Sequence, residues 1–77
     1  MNPNLFSNAK FGDMFLTNEN KQAIFLHYLI GQKFAELYVE NYGQIVVYTK
    51  TGMDVFNGAI RYITKKIERR NQNETIR

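Results

Sequence analysis

A chain of 77 residues with no cysteine, one histidine and a formal net charge of +3 forms one domain and excludes a disulfide framework. A domain of this size buries only about 60% of the surface that its unfolded chain exposes. Small domains therefore often need a disulfide, a metal or a partner subunit for stability. Because the first is excluded and one histidine makes the second a poor fit, the composition favours self-association.

The ends of the chain and its longest apolar stretch give an expectation about location. Met1–Asn4 contain neither the basic nor the apolar region of a signal peptide. The apolar stretch at residues 23–30 includes His27 and is far shorter than the roughly 20 residues that span a bilayer. We therefore expect a cytoplasmic protein that does not bind membranes.

Residues 11–50 are predicted to form short strands separated by turns. The predicted strands cover residues 11–17, 21–28, 34–40 and 44–50, with turns at Asn18–Asn20, Gly31–Lys33 and Asn41–Gly43. Apolar and polar residues alternate most clearly in residues 34–40, which is the pattern of a strand with one buried face. The second strand is apolar on both faces, which is typical of a central strand or of one covered on both sides.

The pattern after residue 52 has two interpretations. Apolar residues spaced by 3, 4, 3 and 4 positions indicate a helix, and they are Met53, Phe56, Ile60, Ile63 and Ile67. Against this, Asn57-Gly58 lies between two β-prone runs and is typical of a type I′ hairpin turn. Gly58 inside a helix would also cost about 1 kcal/mol relative to alanine. The pattern alone leaves both interpretations open.

The opening of the chain resembles a group of small bacterial proteins to which no activity is assigned. Residues 10–17, KFGDMFLT, and residues 21–24, KQAI, are similar to that group's Phe-Gly-Asp-x-Phe-x-Thr, acidic-Gly turn and basic-x-Ala-aliphatic segment. This chain differs at Glu19-Asn20, where the group has acidic-Gly, and at Ile67, where Trp is commoner. The resemblance implies a β-rich, barrel-like fold with a final strand near residues 59–64.

Together these observations predict a mainly β protein. We expect a small antiparallel meander or barrel-like sheet of four to six strands, followed by a basic, partly helical C-terminus. The alternative is an α+β fold with a C-terminal helix over residues 53–70. Residues 1–77 form a single domain in this prediction, with an ordered core at about 10–68 and flexible ends at 1–9 and 71–77.

The titratable residues do not form a pattern that indicates catalysis. His27 lies in an apolar strand, where we expect a structural histidine with one ring nitrogen hydrogen-bonded. Glu36 and Glu40 share a strand face at about 13 Å, which exceeds the carboxylate separation of paired-carboxylate hydrolases. Asp13 follows Gly12 and is expected to cap a turn. We therefore predict no enzyme, metal, cofactor or small-molecule substrate.

The basic residues are concentrated at the C-terminal end. Residues 1–60 have four lysines against five acidic residues, a net charge of −1, whereas residues 61–77 have six basic against two acidic residues, a net charge of +4. Basic side chains neutralise phosphates, and exposed aromatic rings stack on unpaired bases. The candidate nucleic-acid contacts are Arg61, Lys65, Lys66, Arg69 and Arg70, with Tyr38 and Tyr48 on the outer sheet face.

Protein interaction is the other function that the sequence favours. Five tyrosines combine an apolar ring with a polar hydroxyl, which suits interfaces. The second strand has apolar residues on both faces, more than one small sheet covers, so Phe25 and Tyr28 are the candidate interface residues. The sequence thus predicts a homodimer or a complex with another protein, with nucleic-acid binding as the alternative.

Overall fold

The computed structural model describes residues 5–67, and this part of the chain is mainly β. The five strands are β1 (Met14–Thr17), β2 (Gln22–Leu29), β3 (Phe34–Val39), β4 (Gly43–Tyr48) and β5 (Ile63–Ile67). They form one antiparallel sheet in the order β4-β3-β2-β1-β5. Residues 5–67 contain no helix, so they provide none that could cross a lipid bilayer.

The predicted meander is confirmed, and its strands follow the alternation of the sequence. In β3, Ala35, Leu37 and Val39 are buried while Tyr38 between them is exposed, because successive side chains point to opposite faces of a strand. The second strand occupies the centre of the sheet order, as its apolar residues on both faces predict.

A short segment joins the two edges of the sheet. Val47 of β4 forms a bridge with Asp54, and Met53 forms one with Tyr62. Hydrogen bonds connect the amide of Tyr48 to the carbonyl of Met53 at 3.0 Å and the amide of Ile63 to the carbonyl of Gly52 at 2.9 Å. The sheet therefore curls, so that β4 and the start of β5 approach from opposite edges, as the barrel-like prediction requires.

The hydrophobic core lies on the concave side of this curled sheet and includes the N-terminal segment. Its buried apolar residues are Phe6, Ala9, Phe15, Ala23, Phe25, Ala35, Leu37, Val39, Ile45, Val47 and Ile63. The ring of Phe6 stacks on that of Phe15 with centroids 4.7 Å apart. The packed core thus begins at Phe6 and not near residue 10. A single large side chain can enter the core without leaving a periodic pattern in the sequence.

The region after residue 52 follows the hairpin interpretation with a wider turn, since Met53 and Tyr62 form an antiparallel bridge and the amide of Asp54 donates to the carbonyl of Arg61 at 3.1 Å. A helix over residues 53–70 is wrong for residues 53–67, and the part of the predicted basic, partly helical C-terminus that follows residue 67 lies outside the described residues. The final strand begins at Ile63, not near residue 59. Neither Asn57 nor Gly58 has a positive φ, so the type I′ turn is also wrong. A wider loop, residues 55–60, is closed instead by the amide of Arg61 donating to the carbonyl of Asn57 at 2.9 Å.

Candidate functional site

The two residues predicted to form an interface serve the fold of the monomer. Phe25 is buried in the core, with its ring 4.9 Å from that of Tyr28. The Tyr28 hydroxyl donates to the carbonyl of Phe6 and accepts from the amide of Ala9 at 3.0 Å. The prediction of an interface residue is therefore wrong for Phe25. Tyr28 connects the N-terminal segment to β2 through its two hydrogen bonds. Residues 5–9, which have no period to reveal this role, cover the core face of β2, where the rings of Phe6 and Phe25 lie 6.5 Å apart.

Arg61, a predicted phosphate contact, is buried. Its Nη1 lies 3.3 Å from Oδ2 of Asp54, and its guanidinium carbon lies 3.8 Å from the ring centroid of Tyr42. Burial disfavours the charge on this side chain, but the hydrogen bond that Arg61 donates to Asp54 and the interactions with Tyr42 outweigh it, so the pKa of Arg61 is raised. Because its donors face these internal partners, Arg61 is not placed to contact a phosphate.

The other candidate nucleic-acid contacts are spread over the molecule. Lys65 on β5 and Tyr38 on β3 are both exposed, with β1 and β2 between their strands. Lys66 is 3.5 Å from Oδ2 of Asp13. Tyr48 is exposed at the end of β4, while Arg69 and Arg70 lie outside the described residues. The described candidates therefore do not form a single basic and aromatic cluster.

Polar side chains on the outer sheet face form a small cross-strand network. His27 Nε2 lies 2.6 Å from Oε1 of Glu36, and Gln44 Nε2 donates to Oε2 of the same carboxylate at 3.1 Å. The His27 side chain is 58% exposed, and exposed pairs of this kind contribute at most about 1 kcal/mol. Within residues 5–67, no group of three or more His, Cys, Asp or Glu side chains could hold a metal ion.

Exposed apolar side chains occur at one corner of the sheet and in the loop at residues 55–60 beside it. They are Tyr48, Met53, Phe56, Ile60 and Tyr62, and we call them the Phe56 patch; their exposed fractions range from 41% to 83%. Tyr62 is the bridge partner of Met53, which in turn is hydrogen-bonded to Tyr48. Their buried neighbours alternate with them along the chain, so these three side chains share the outer face.

The loop that presents Phe56 is fixed by Asp54. Oδ1 of this buried carboxylate accepts hydrogen bonds from the amides of Phe56 at 2.8 Å and of Asn57 at 3.1 Å. A Cβ added to Gly58 would lie 3.0 Å from the carbonyl oxygen of Asp54 and 3.3 Å from Cβ of Met53. The loop therefore packs directly on Met53. Phe56 is 83% exposed although hydrogen bonds hold its backbone in place.

The sequence contained a usable signal for this patch. Phe56 directly precedes Asn57-Gly58, and a large apolar residue beside a turn pair is difficult to bury. The helical spacing of Met53, Phe56 and Ile60 concealed that signal, since it assigned all three to a core-facing stripe. Of the five residues with that helical spacing, which also include Ile63 and Ile67, only Ile63 is buried in the core.

Comparisons of the chain with protein-family models, with curated proteins and with solved structures find no match. The resemblance of residues 10–24 to the bacterial group therefore stays a prediction. On the surface of residues 5–67, the Phe56 patch is the largest group of exposed apolar side chains.

Proposed function

We propose that this chain is a non-enzymatic protein-interaction module that self-associates through the Phe56 patch. The supporting observation is that five large apolar side chains, each at least 41% exposed, belong to three paired segments at one sheet corner and to the anchored loop that packs on Met53. The largest apolar patch on a monomeric protein is about 300–600 Å² and is often functional. With about 200 Å² of surface for each side chain, the Phe56 patch exposes roughly 500 Å².

This area matches what an interface between two copies needs. Non-polar atoms make up about 60% of a typical interface. An apolar centre of roughly 500 Å² therefore corresponds to about 800 Å² for each partner, which is the standard size for a stable complex. Burying the patch would also add stability to a domain whose own core is small.

The composition and anchoring of the patch support the same proposal. Tyrosine, phenylalanine and methionine are enriched in protein interfaces, and the Phe56 patch consists of these types and one isoleucine. Because Asp54 already holds the loop, little conformational entropy is lost on binding. As the location of this module we propose the cytoplasm, which suits a chain without cysteine.

Solution mass tests the proposal directly. We expect light scattering at micromolar concentration to report a dimer whose mass changes little with salt, since the driving force is apolar. Phe56→Ser or Ile60→Ser should weaken dimerisation about tenfold to a hundredfold. The matched control is Phe11→Ser, because Phe11 is 77% exposed but lies outside the patch. A monomeric wild type across this range, or equal effects of Phe56→Ser and Phe11→Ser, would contradict self-association through the patch.

Nucleic-acid binding is the second candidate, favoured by the exposed rings of Tyr38, Tyr48 and Tyr62 and by the exposed Lys65. Rings of this kind stack on unpaired bases, and phosphate contacts give affinity that decreases steeply with salt. The test is retention on single-stranded DNA or RNA at about 50 mM salt. Retention that is lost in Tyr38→Ser and Lys65→Gln would support this candidate, whereas no retention of the wild type would remove it.

A further inference from the structure

The turn between β2 and β3 has an unusual backbone. Ile30, Gly31 and Gln32 have φ values of 50°, 57° and 74°, so three successive residues adopt the left-handed conformation. The amide of Lys33 donates to the carbonyl of Ile30 at 3.0 Å and closes the turn. A positive φ is a genuine outlier for a β-branched residue such as isoleucine, because its side chain crowds the backbone. Ile30 is therefore strained where it stands.

The other turns of the molecule avoid this strain. Apart from the β2–β3 turn, every residue with positive φ in the described part of the chain is asparagine or glycine: Asn8, Gly12, Asn20, Asn41, Gly43 and Gly52. These residue types tolerate the left-handed region. Ile30 is 72% exposed, so burial in the core does not compensate for its conformation. A strained and exposed apolar residue with no packing role suggests a functional role for its side chain.

Two lysines lie beside this turn. The Thr49 hydroxyl lies 2.7 Å from the carbonyl oxygen of Gln32 and 2.9 Å from that of Lys33, which places the backbone of Lys50, the next residue, beside the turn. Both lysines are exposed, and neither forms an ion pair within residues 5–67. Glu36, the nearest carboxylate along β3, is already bonded to His27 and Gln44. The turn and the residue next to Thr49 thus carry one exposed apolar side chain and two exposed lysines that form no ion pair within residues 5–67.

We propose that the β2–β3 turn, which borders the Phe56 patch at Tyr48, is a second docking surface, for an acidic segment of a different protein. Ile30 packs against apolar side chains of that segment, and Lys33 and Lys50 pair with its carboxylates. Charge complementarity identifies the partner as acidic. Ile30 has no aromatic ring to stack on bases, which favours a protein over a single-stranded nucleic acid.

A second copy of this chain is a poor occupant of the turn. Four of the five carboxylates in residues 5–67 already accept bonds from their own chain. Asp13 accepts from Lys10 and Lys66, Glu36 from His27 and Gln44, Glu40 from the amide of Gln22, and Asp54 from Arg61. Glu19 alone is left within this range, so the described surface of a copy offers little acidic complement for two lysines.

The test uses three labelled ten-residue peptides of alternating Glu-Leu, Glu-Ser and Lys-Leu, titrated into the full chain by fluorescence anisotropy. We expect saturable binding of the Glu-Leu peptide, binding of the Glu-Ser peptide about tenfold weaker, and none of the Lys-Leu peptide. Because ionic contacts at an exposed surface are screened, the affinity should also decrease with salt.

Ile30→Gly is the decisive variant because it relieves strain and removes the anchor together. Glycine adopts positive φ without steric cost, and the strain relieved at a β-branched residue should exceed glycine's entropic cost, so this variant should unfold at a higher denaturant concentration than the wild type. It should nevertheless bind the Glu-Leu peptide about tenfold to a hundredfold more weakly. Lys33→Gln with Lys50→Gln should reduce both the affinity and its salt dependence, whereas Lys21→Gln should change neither.

Ile60→Ser separates this proposal from self-association. It alters the Phe56 patch and should leave peptide binding unchanged, so a failure of self-association would not affect this result. The docking proposal would be overturned by any of three results: no saturable binding up to about 1 mM Glu-Leu peptide, equal binding by Ile30→Gly, or lower stability of Ile30→Gly. Binding that depends on Ile30 only with anionic lipid vesicles or a single-stranded oligonucleotide would overturn it in favour of those ligands.

Discussion

Two loops of this molecule expose large apolar side chains, and they are built differently. The loop at residues 55–60 has no positive φ and is held by the buried carboxylate of Asp54. The β2–β3 turn has three successive positive φ values and is held at its base by the hydroxyl of Thr49. One loop thus depends on buried polar groups, whereas the other depends on a strained backbone.

This difference determines how each loop responds to substitution. Asp54 and Arg61 are a buried ion pair, and removal of one partner leaves the other charge buried without compensation. In the β2–β3 turn, a residue that tolerates positive φ lowers the energy of the native backbone. Substitutions at the base of the first loop should therefore destabilise the protein, and suitable substitutions in the second should stabilise it.

The largest effect is expected from Asp54→Ala. This change leaves the Arg61 guanidinium without its carboxylate and removes the acceptor for the amides of Phe56 and Asn57. Loss of one member of a buried ion pair costs about 3–5 kcal/mol, which is a large part of the stability of a small domain. Urea unfolding followed by circular dichroism should show this loss.

Asp54→Asn is the matched control for that experiment. The asparagine amide oxygen still accepts hydrogen bonds from the amides of Phe56 and Asn57, so the loop at residues 55–60 can keep these bonds while the charge is absent. Its loss of stability should therefore lie between the wild type and Asp54→Ala. If Asp54→Ala lost less than about 1 kcal/mol, the value of an exposed pair, the loop would not depend on this buried carboxylate.

A smaller effect of opposite sign is expected from Gln32→Gly. Gln32 has a φ of 74°. Glycine should remove a left-handed penalty of about 1–2 kcal/mol at an entropic cost of about 0.5–1 kcal/mol, so the free energy of unfolding should rise by up to about 1 kcal/mol. Ile30 remains in place, so binding of the Glu-Leu peptide should be retained. Asn41→Gly is the control, because asparagine already tolerates the positive φ at that turn and little strain is left to relieve. Equal gains from both changes would show that the β2–β3 turn is no more strained than the turn at Asn41.

The local parts of the fold could be predicted from the sequence. Alternation in residues 34–39 and turn residues such as Asn20 and Asn41 depend only on neighbouring residues, because strand geometry repeats every two positions and asparagine tolerates positive φ. The central position of β2 could be predicted as well, since a strand that is apolar on both faces must be covered on both. These predictions are confirmed, with boundaries shifted by a few residues.

Long-range contacts could not be predicted in the same way. The pairing of β1 with β5 joins residues about fifty positions apart, and no local pattern encodes it. Phe6 enters the core through its contact with Phe15, which depends on how the sheet curls. The same reason explains Arg61, whose pattern places it in a basic run while the fold places it beside Asp54 and Tyr42.

The smallest expected effect concerns the pH dependence of the Arg61 contribution. We compare the free energy of unfolding of the wild type with that of Arg61→Met. Methionine has an unbranched side chain of similar length but lacks the charge. Although burial disfavours the charge, the hydrogen bond to Asp54 and the contacts with Tyr42 raise the pKa of Arg61 above its ordinary value. A raised pKa in the folded state gives a contribution that is complete below the unfolded-state pKa and is lost only as the pH rises through the folded-state pKa.

Both pKa values lie far above neutrality for arginine, so the difference should stay constant within about 0.5 kcal/mol between about pH 6 and pH 9. Lys66→Met serves as the control, because it removes an exposed pair with Asp13 and should change the stability by less than about 1 kcal/mol. A wild-type advantage over Arg61→Met that decreased steadily toward pH 9 would mean that the buried guanidinium loses its proton. In that case the loop at residues 55–60 would be held by an ion pair that titrates. The contrast between a loop held by a buried ion pair and a turn with a strained backbone would then apply only near neutral pH.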